Sequence, residues 1–312
     1  MRRPSWTPGS HEHHSSDAAT GLDLYSRTAE LASNQVISAY STSFGLATRL
    51  LGRRHRQHVR NIYALVRVAD ELVDGVGSEA GLTREQQFTA LDRLLSETLD
   101  AVSSGFSSNL VVHAFARTAR TAGIDAELIN PFFDSMRTDL LLAGGDEPAR
   151  FDPEAHTQYV YGSAEVVGLM CLRVFVRDDS LDADTHERLT FGARQLGAAF
   201  QDVNFLRDLA DDTQRLGRSY LGTDDTLSAQ SRDTWIATIR GQLSDAEAVI
   251  PLLPTDAQAA VRTAASLFRE LADRIAETPI EVLQTTRVRV PDSTKALLLG
   301  RALTQTWREP HS

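Results

Sequence analysis

Residues 62–74 read Ile62-Tyr63-Ala64-Leu65-Val66-Arg67-Val68-Ala69-Asp70-Glu71-Leu72-Val73-Asp74, an apolar run that passes into a charged one with no Gly or Pro between them. Apolar residues spaced three and four apart predict an amphipathic helix. On such a helix Asp70 and Asp74 share a face, Arg67 lies one turn before Asp70, and Glu71 points partly aside. Two like charges at that spacing oppose the helix by a few tenths of a kcal/mol unless a cation compensates. A solvated helix face is the simpler reading of an isolated Asp-x-x-x-Asp, and a second acidic segment changes the balance.

The same period extends in both directions, and strand-like alternation is scarce. Helices are expected over 27–50, 54–75, 84–103, 107–122, 125–143, 153–176, 180–213, 228–249, 254–277 and 292–307. Gly75, Gly77, Gly144 and Gly145 follow helices, and Pro153 and Pro254 suit helix starts. The fold class is therefore all-α. One domain over 26–307 is expected, flanked by a flexible N-terminal tail at 1–25, where His11, Glu12, His13 and His14 sit among small polar residues, and a C-terminal tail at 308–312. Ten helices exceed a simple four-helix bundle and predict a layered bundle with an interior cavity.

A chain of 312 residues, 42% hydrophobic, has enough apolar side chains for one large core. Its net charge of −10, from 42 acidic and 32 basic residues, argues against a nucleic-acid partner, because phosphate neutralisation needs a basic surface. The single cysteine, Cys171, reads as a buried structural thiol and sets no requirement for an oxidising compartment, so a cytoplasmic location is expected. The best apolar run, Val166 to Val176, is short for a membrane span and is interrupted by Arg173. Arg53, Arg54, His55, Arg56, His58 and Arg60 form a local basic cluster, readable as an exposed helix start or as a peripheral contact with the inner face of a membrane.

The second acidic segment is Gln201-Asp202-Val203-Asn204-Phe205-Leu206-Arg207-Asp208-Leu209-Ala210-Asp211-Asp212. Asn204, Asp208 and Asp212 recur every four residues and would cover about 12 Å of one helix side. Magnesium takes oxygen ligands and commonly binds through one or two carboxylates together with substrate phosphate. Two such faces could clamp a diphosphate, with Arg67, Arg207, Arg215 and Arg218 close in sequence to stabilise its departure. No Cys/His spacing suggests zinc.

Taken together, five segments in order resemble the squalene/phytoene synthase family. They are Tyr40-Ser-Thr-Ser-Phe44, Val59 to Asp74, Tyr159-Val-Tyr-Gly-Ser-Ala164, Gln201 to Asp212, and Arg218-Ser-Tyr220-Leu221. The resemblance runs from about Tyr40 to Leu299 and is most like the bacterial phytoene synthases. It implies the isoprenoid synthase fold, with two aspartate-rich helices facing each other across an apolar cavity. The implied reaction joins two geranylgeranyl diphosphates head to head through a cyclopropylcarbinyl diphosphate, with Mg2+ as cofactor, Mn2+ as a substitute, and no NADPH.

Carried over by motif, Asp70, Asp74, Asn204, Asp208 and Asp212 would bind the metal and diphosphate. Gln201, Arg67, Arg207, Arg218, Arg287 and Lys295 would contact diphosphate or lie beside it. Ser41, Ser43 and Phe44 would line the first substrate site, and Tyr159 and Tyr220 would act near the reacting centre. The apolar wall would draw on Phe44, Leu46, Val66, Val167, Leu169, Met170 and Phe205.

Three departures from the family pattern stand out. Glu71 replaces the second Asp of the first motif, Tyr40 stands where some relatives have His, and the stretch between Asp212 and Tyr220 is one residue longer. Two other functions are weighed beside the leading one. One is a fifteen-carbon enzyme making presqualene diphosphate, dehydrosqualene or squalene; the other is a non-catalytic assembly factor of the same fold. Retention of the acidic set disfavours the assembly factor, and the lack of a C-terminal apolar anchor weighs toward the twenty-carbon reaction.

Overall fold

The computed structural model of the chain describes residues 20–142, 149–150, 152–208, 218–219 and 228–308. Helices dominate: α1 (Gly21–Tyr40), α2 (Thr42–Thr48), α3 (Arg53–Val73), α4 (Val76–Glu79), α5 (Arg84–Ser104), α6 (Leu110–Ala122) and α7 (Ala126–Leu142). They continue as α8 (Pro153–Val160), α9 (Val166–Val176), α10 (Ala183–Arg207), α11 (Ala229–Val249), α12 (Thr255–Glu277), α13 (Ile280–Leu283) and α14 (Asp292–Arg308). A two-residue parallel pairing sets Ala149–Arg150 beside Arg218–Ser219.

Local chemistry sets the boundaries. Thr20 with Asp23 and Thr83 with Gln86 form reciprocal capping boxes that satisfy the first amides of α1 and α5. Asp152 and Asp182 cap α8 and α10, and Gly105 and Gly123 end α5 and α6 in the left-handed conformation that glycine adopts without a Cβ penalty. Helix α1 starts at Gly21, inside the stretch 1–25 expected as a tail. The single helix expected over 27–50 is broken at Ser41, whose backbone is extended and whose Oγ accepts from the Phe44 amide at 3.0 Å. Between α8 and α9 the helix takes one π turn over Tyr161–Glu165. The helix expected to reach residue 213 ends at Arg207, and 209–213 lie outside the described residues.

Two large apolar clusters and a small third one, around Tyr159 and Phe205, build the interior of the described residues. One of the large clusters gathers α3, α5, α6, α7 and α9 around Leu91, Phe115, Phe132 and Phe133; the other gathers α10, α11 and α12 around Leu206, Ile239, Ala272 and Ile275. Helices α9 and α10 cross closely between them. A Cβ on Gly168 would lie 2.5 Å from the Ala193 carbonyl oxygen, and one on Gly197 would lie 2.6 Å from that of Ala164, so only glycine permits this approach.

The reading that no segment is long enough to span a membrane is corrected on length and composition. Pro153–Val176 is a continuous 24-residue helical run of mean hydropathy 1.4 in its best window. Half of that window is buried inside the protein, where it walls the core.

A buried histidine and a half-buried one tie the elements together. His55 Nε2 meets Asp256 Oδ1 at 3.0 Å while its Nδ1 meets Arg177 at 3.1 Å, linking α3, α9 and α12. His58 Nδ1 meets Thr118 Oγ1 at 3.0 Å. Burial, then the charges of Arg177, His55 and Arg117, lowers the His58 pKa to about 4 from its ordinary 6.5. The unfolded chain therefore takes up this proton first, and stability should be fully present above about pH 6.5 and decline as pH falls towards 4. A His58→Gln variant should show a flatter decline in urea midpoint across that window, and an identical decline would count against the assignment.

Candidate active site

The first acidic face stands at the C-terminal end of α3. Arg67 Nη1 lies 3.4 Å from Asp70 Oδ2 and its other terminal nitrogen pairs with Glu71, while the Tyr40 ring sits 4.6 Å from the guanidinium carbon. Tyr40 and Glu71, two of the departures from the family pattern, thus both act on Arg67. Asp70 faces the central cavity, and burial, followed by the like charge of Asp74, raises its pKa well above the carboxylate range. Asp74 follows Asp70 at the very end of the helix, close enough for its charge to act on Asp70. It is the C-cap of α3, its amide donating to the Asp70 carbonyl at 2.8 Å, and it lies outside the cavity lining.

The second face closes α10 in a parallel way. Leu196, Phe200, Gln201, Asn204 and Arg207 form a stripe on the cavity. Asn204 Oδ1 is buried and has no hydrogen-bond partner among the described residues. Asp208 is the C-cap, its amide donating to the Asn204 carbonyl at 2.8 Å, so the expected step from Asn204 to Asp208 falls at the end of α10. The Asp208 carboxylate accepts from Arg207 Nε at 2.9 Å and pairs with Arg287 Nε at 2.8 Å. Asp212, Tyr220 and Arg215 lie outside the described residues, as do the side chains of Arg218 and Ser43.

Both motifs thus end a helix, where exposed carbonyls carry a partial negative charge that disfavours a further carboxylate. A raised Asp70 pKa and an Asn204 oxygen with no partner among the described residues suit a hard cation, so the donor set fits magnesium. Among the described residues no three Asp, Glu, His or Cys side chains converge closely enough to hold a metal alone.

The cavity itself has a volume of about 1020 Å³ and is apolar away from these motifs. Ser41, Phe44, Arg67, Tyr159, Arg287 and Lys295 all line it. Lys295 Nζ rests on Asp292 at 3.0 Å. Phe44 packs edge-on against Phe200 and Phe268 at 5.6 and 5.9 Å, and those two rings stack at 3.8 Å. Of the other apolar candidates, Val66 and Val167 line the wall, whereas Leu46, Leu169, Met170 and Phe205 do not. Cys171 also faces the cavity, its thiol pKa pushed up to about 12 by burial, so it is inert at neutral pH.

One residue missed in the sequence is Asp139. It is 3% exposed in the last turn of α7, and Tyr159 donates its hydroxyl to both carboxylate oxygens at 2.9 and 3.0 Å. Its charge adds to the pressure on Asp70. The signal was present in Phe132-Phe133-Asp134-Ser135-Met136-Arg137-Thr138-Asp139-Leu140, because Asp139 falls three after Met136 and seven after Phe132, on the apolar face. Tyr159→Phe removes one donor from this buried carboxylate and should cost about 1–3 kcal/mol of stability, read from the urea midpoint. An unchanged midpoint would show that the bond contributes nothing.

Comparison with known proteins agrees with this fold. The squalene/phytoene synthase family model matches residues 37–294. A phytoene synthase from Pseudescherichia vulneris is 29% identical over 263 residues, covering 77% of this chain and 80% of the relative. One from Arthrospira platensis is 28% identical over 298 residues, covering 86% and 90%. The chain also matches a chloroplastic phytoene synthase from Zea mays at 29% identity over 89% of its own length, and spans 66% of that longer protein. A dehydrosqualene synthase crystal structure superposes with a TM-score of 0.72 at 21% identity, covering 92% of this chain and 99% of that one. The squalene synthase HpnC from Alicyclobacillus acidocaldarius gives 0.66 at 18%, covering 81% and 95%.

The architecture is therefore the isoprenoid synthase fold, all-α around a central cavity. Within it, the chain belongs to the squalene/phytoene synthase family.

Proposed function

We propose that this protein is a prenyltransferase that joins two geranylgeranyl diphosphates head to head to give phytoene, through a cyclopropylcarbinyl diphosphate. The observation that carries the reading is the polarity of one cavity. Arginine and carboxamide groups crowd its end at Arg67, Asn204 and Arg207, and apolar or small side chains line it along α10 as far as Leu189. From Arg207 to Leu189 is about 27 Å of helix at 1.5 Å per residue, ample for an extended twenty-carbon chain. The matched phytoene synthases support the same choice.

Asp70, Asp74, Asn204 and Asp208, with Asp212 by motif, would hold magnesium, which supplies charge neutralisation for the departing diphosphate. Gln201, Arg67, Arg207, Arg287 and Lys295 would orient the diphosphates, with Arg218 assigned by motif. Ser41 and Phe44, with Ser43 by motif, would seat the first prenyl chain. Tyr159, held by Asp139, would present its oxygen near the reacting carbons, and Tyr220 is assigned a similar place by motif. Phe200 and Phe268 exclude water from the cationic centre, which would otherwise be hydrolysed.

The test supplies farnesyl and geranylgeranyl diphosphate separately, with magnesium and with or without NADPH, followed by chromatography and mass spectrometry. Phytoene from the twenty-carbon substrate without NADPH is the expected result. A thirty-carbon product alone would replace the substrate, and no product from either would point to the assembly factor.

A further inference from the structure

The basic cluster seen in the sequence divides in the folded protein. Arg54 and His55 are taken up by Asp256, both at 3.0 Å, and His58 turns inward to Thr118. Arg56 and Arg60, one helical turn apart on α3, instead approach Arg49 at the end of α2, a residue outside the original cluster. Neutral groups hold them. Arg56 donates through Nε to the Leu51 carbonyl at 3.2 Å and through Nη2 to the Leu51 and Arg49 carbonyls at 2.8 and 2.9 Å. Arg60 Nη1 donates to Asn34 Oδ1 at 3.2 Å, and Arg60 Nε is buried with no partner among the described residues.

Among the described residues, no carboxylate forms an ion pair with Arg49, Arg56 or Arg60. Burial, then the like charges of Arg56 and Arg49, pulls the Arg60 pKa down, and no acidic neighbour offsets them. In a chain of net charge −10, three arginines left together without acids are an uncompensated local cost. A bound anion would remove it, and guanidinium forks match the paired oxygens of phosphate.

We infer that Arg49, Arg56 and Arg60 form a binding site for a phosphate group, distinct from the diphosphate end of the cavity. The site lies on the α2–α3 junction, whose Ala47, Thr48, Leu51 and Val59 line the cavity wall. A phosphate clasped there ties α2 to α3 and braces that wall. Two sources supply the same chemistry: the phosphodiester of an anionic lipid, or free phosphate.

The test uses the full chain. Arg49→Gln/Arg60→Gln removes two of the charges and leaves Arg56, which fastens the α2–α3 turn. Arg84→Gln/Arg93→Gln, on the exposed side of α5, is the charge-matched control. Each protein is sedimented with vesicles of phosphatidylglycerol and phosphatidylcholine, and with phosphatidylcholine alone, and is titrated with inorganic phosphate by calorimetry.

Binding to the anionic vesicles should fall about ten- to thirtyfold in Arg49→Gln/Arg60→Gln and far less in the control, since each arginine near such a surface contributes roughly 1 kcal/mol. If vesicle binding is equal in the two variants but phosphate affinity falls at least tenfold in the first, the ligand is free phosphate and the site stands. If neither probe separates the two variants, the inference is overturned.

Discussion

Replacing Asp70 by Ala should lower turnover by roughly a hundred- to a thousandfold, the range associated with losing one preorganised electrostatic group, while far-ultraviolet circular dichroism remains that of the unaltered protein. The two outcomes separate because Asp70 serves the cavity rather than the core. Its carboxylate lines the cavity at the end of α3, where it meets Arg67 at 3.4 Å rather than packing among apolar side chains. Asp208→Ala should lose activity to a similar degree and also release Arg207 and Arg287 from their shared carboxylate. Normal magnesium-dependent turnover in both variants would remove the basis for the site.

The largest stability effect is expected at the α9–α10 crossing. A Cβ on Gly197 would lie 2.6 Å from the Ala164 carbonyl oxygen and 2.9 Å from Glu165 Cα, both backbone atoms that cannot swing aside. Gly197→Val should therefore push α10 from the π turn that leads into α9, at a cost of about 3 kcal/mol, the upper end of the 1–3 that overpacking commonly costs. Thermal unfolding would show a midpoint lower by several degrees. Gly241→Ala on α11 is the counterpart: nothing lies within 4 Å of its added Cβ, and helix propensity should make it neutral or stabilising by up to about 1 kcal/mol. Equal midpoints for the two variants would show that the crossing is not as tight as described.

Much of this architecture was written in hydrophobic period. The ends of α3, α5, α7, α11 and α12 fall within two residues of the expected limits, because glycines, capping side chains and prolines punctuate them. The break at Ser41 was hidden because an apolar period continues through it, and only the serine cap, accepting from Phe44, reveals it. The π turn at Tyr161–Glu165 escaped for a related reason: one extra residue in a turn barely disturbs a 3.6-residue pattern.

At the site, residue identity was more legible than geometry. Asp70, Asn204, Arg67, Arg207, Tyr159, Arg287 and Lys295 do meet around one cavity. Spacing alone could not show that Asp74 and Asp208 are C-caps, because helix ends are decided by what the chain does next. Nor could it show that Arg287, 79 residues away in sequence, reaches Asp208, since that contact depends on how the segment before α14 folds back. Asp139 was missed because a lone acid in an apolar helix was not asked for a partner.

The most direct test of the central proposal, that the ends of α3 and α10 form one cation-dependent diphosphate site, is calorimetric titration with an unreactive thiolo analogue of geranylgeranyl diphosphate. Binding should be tight with magnesium, at least tenfold weaker in chelator, and insensitive to magnesium in Asp70→Ala. Equal affinity with and without magnesium in the unaltered protein would contradict it.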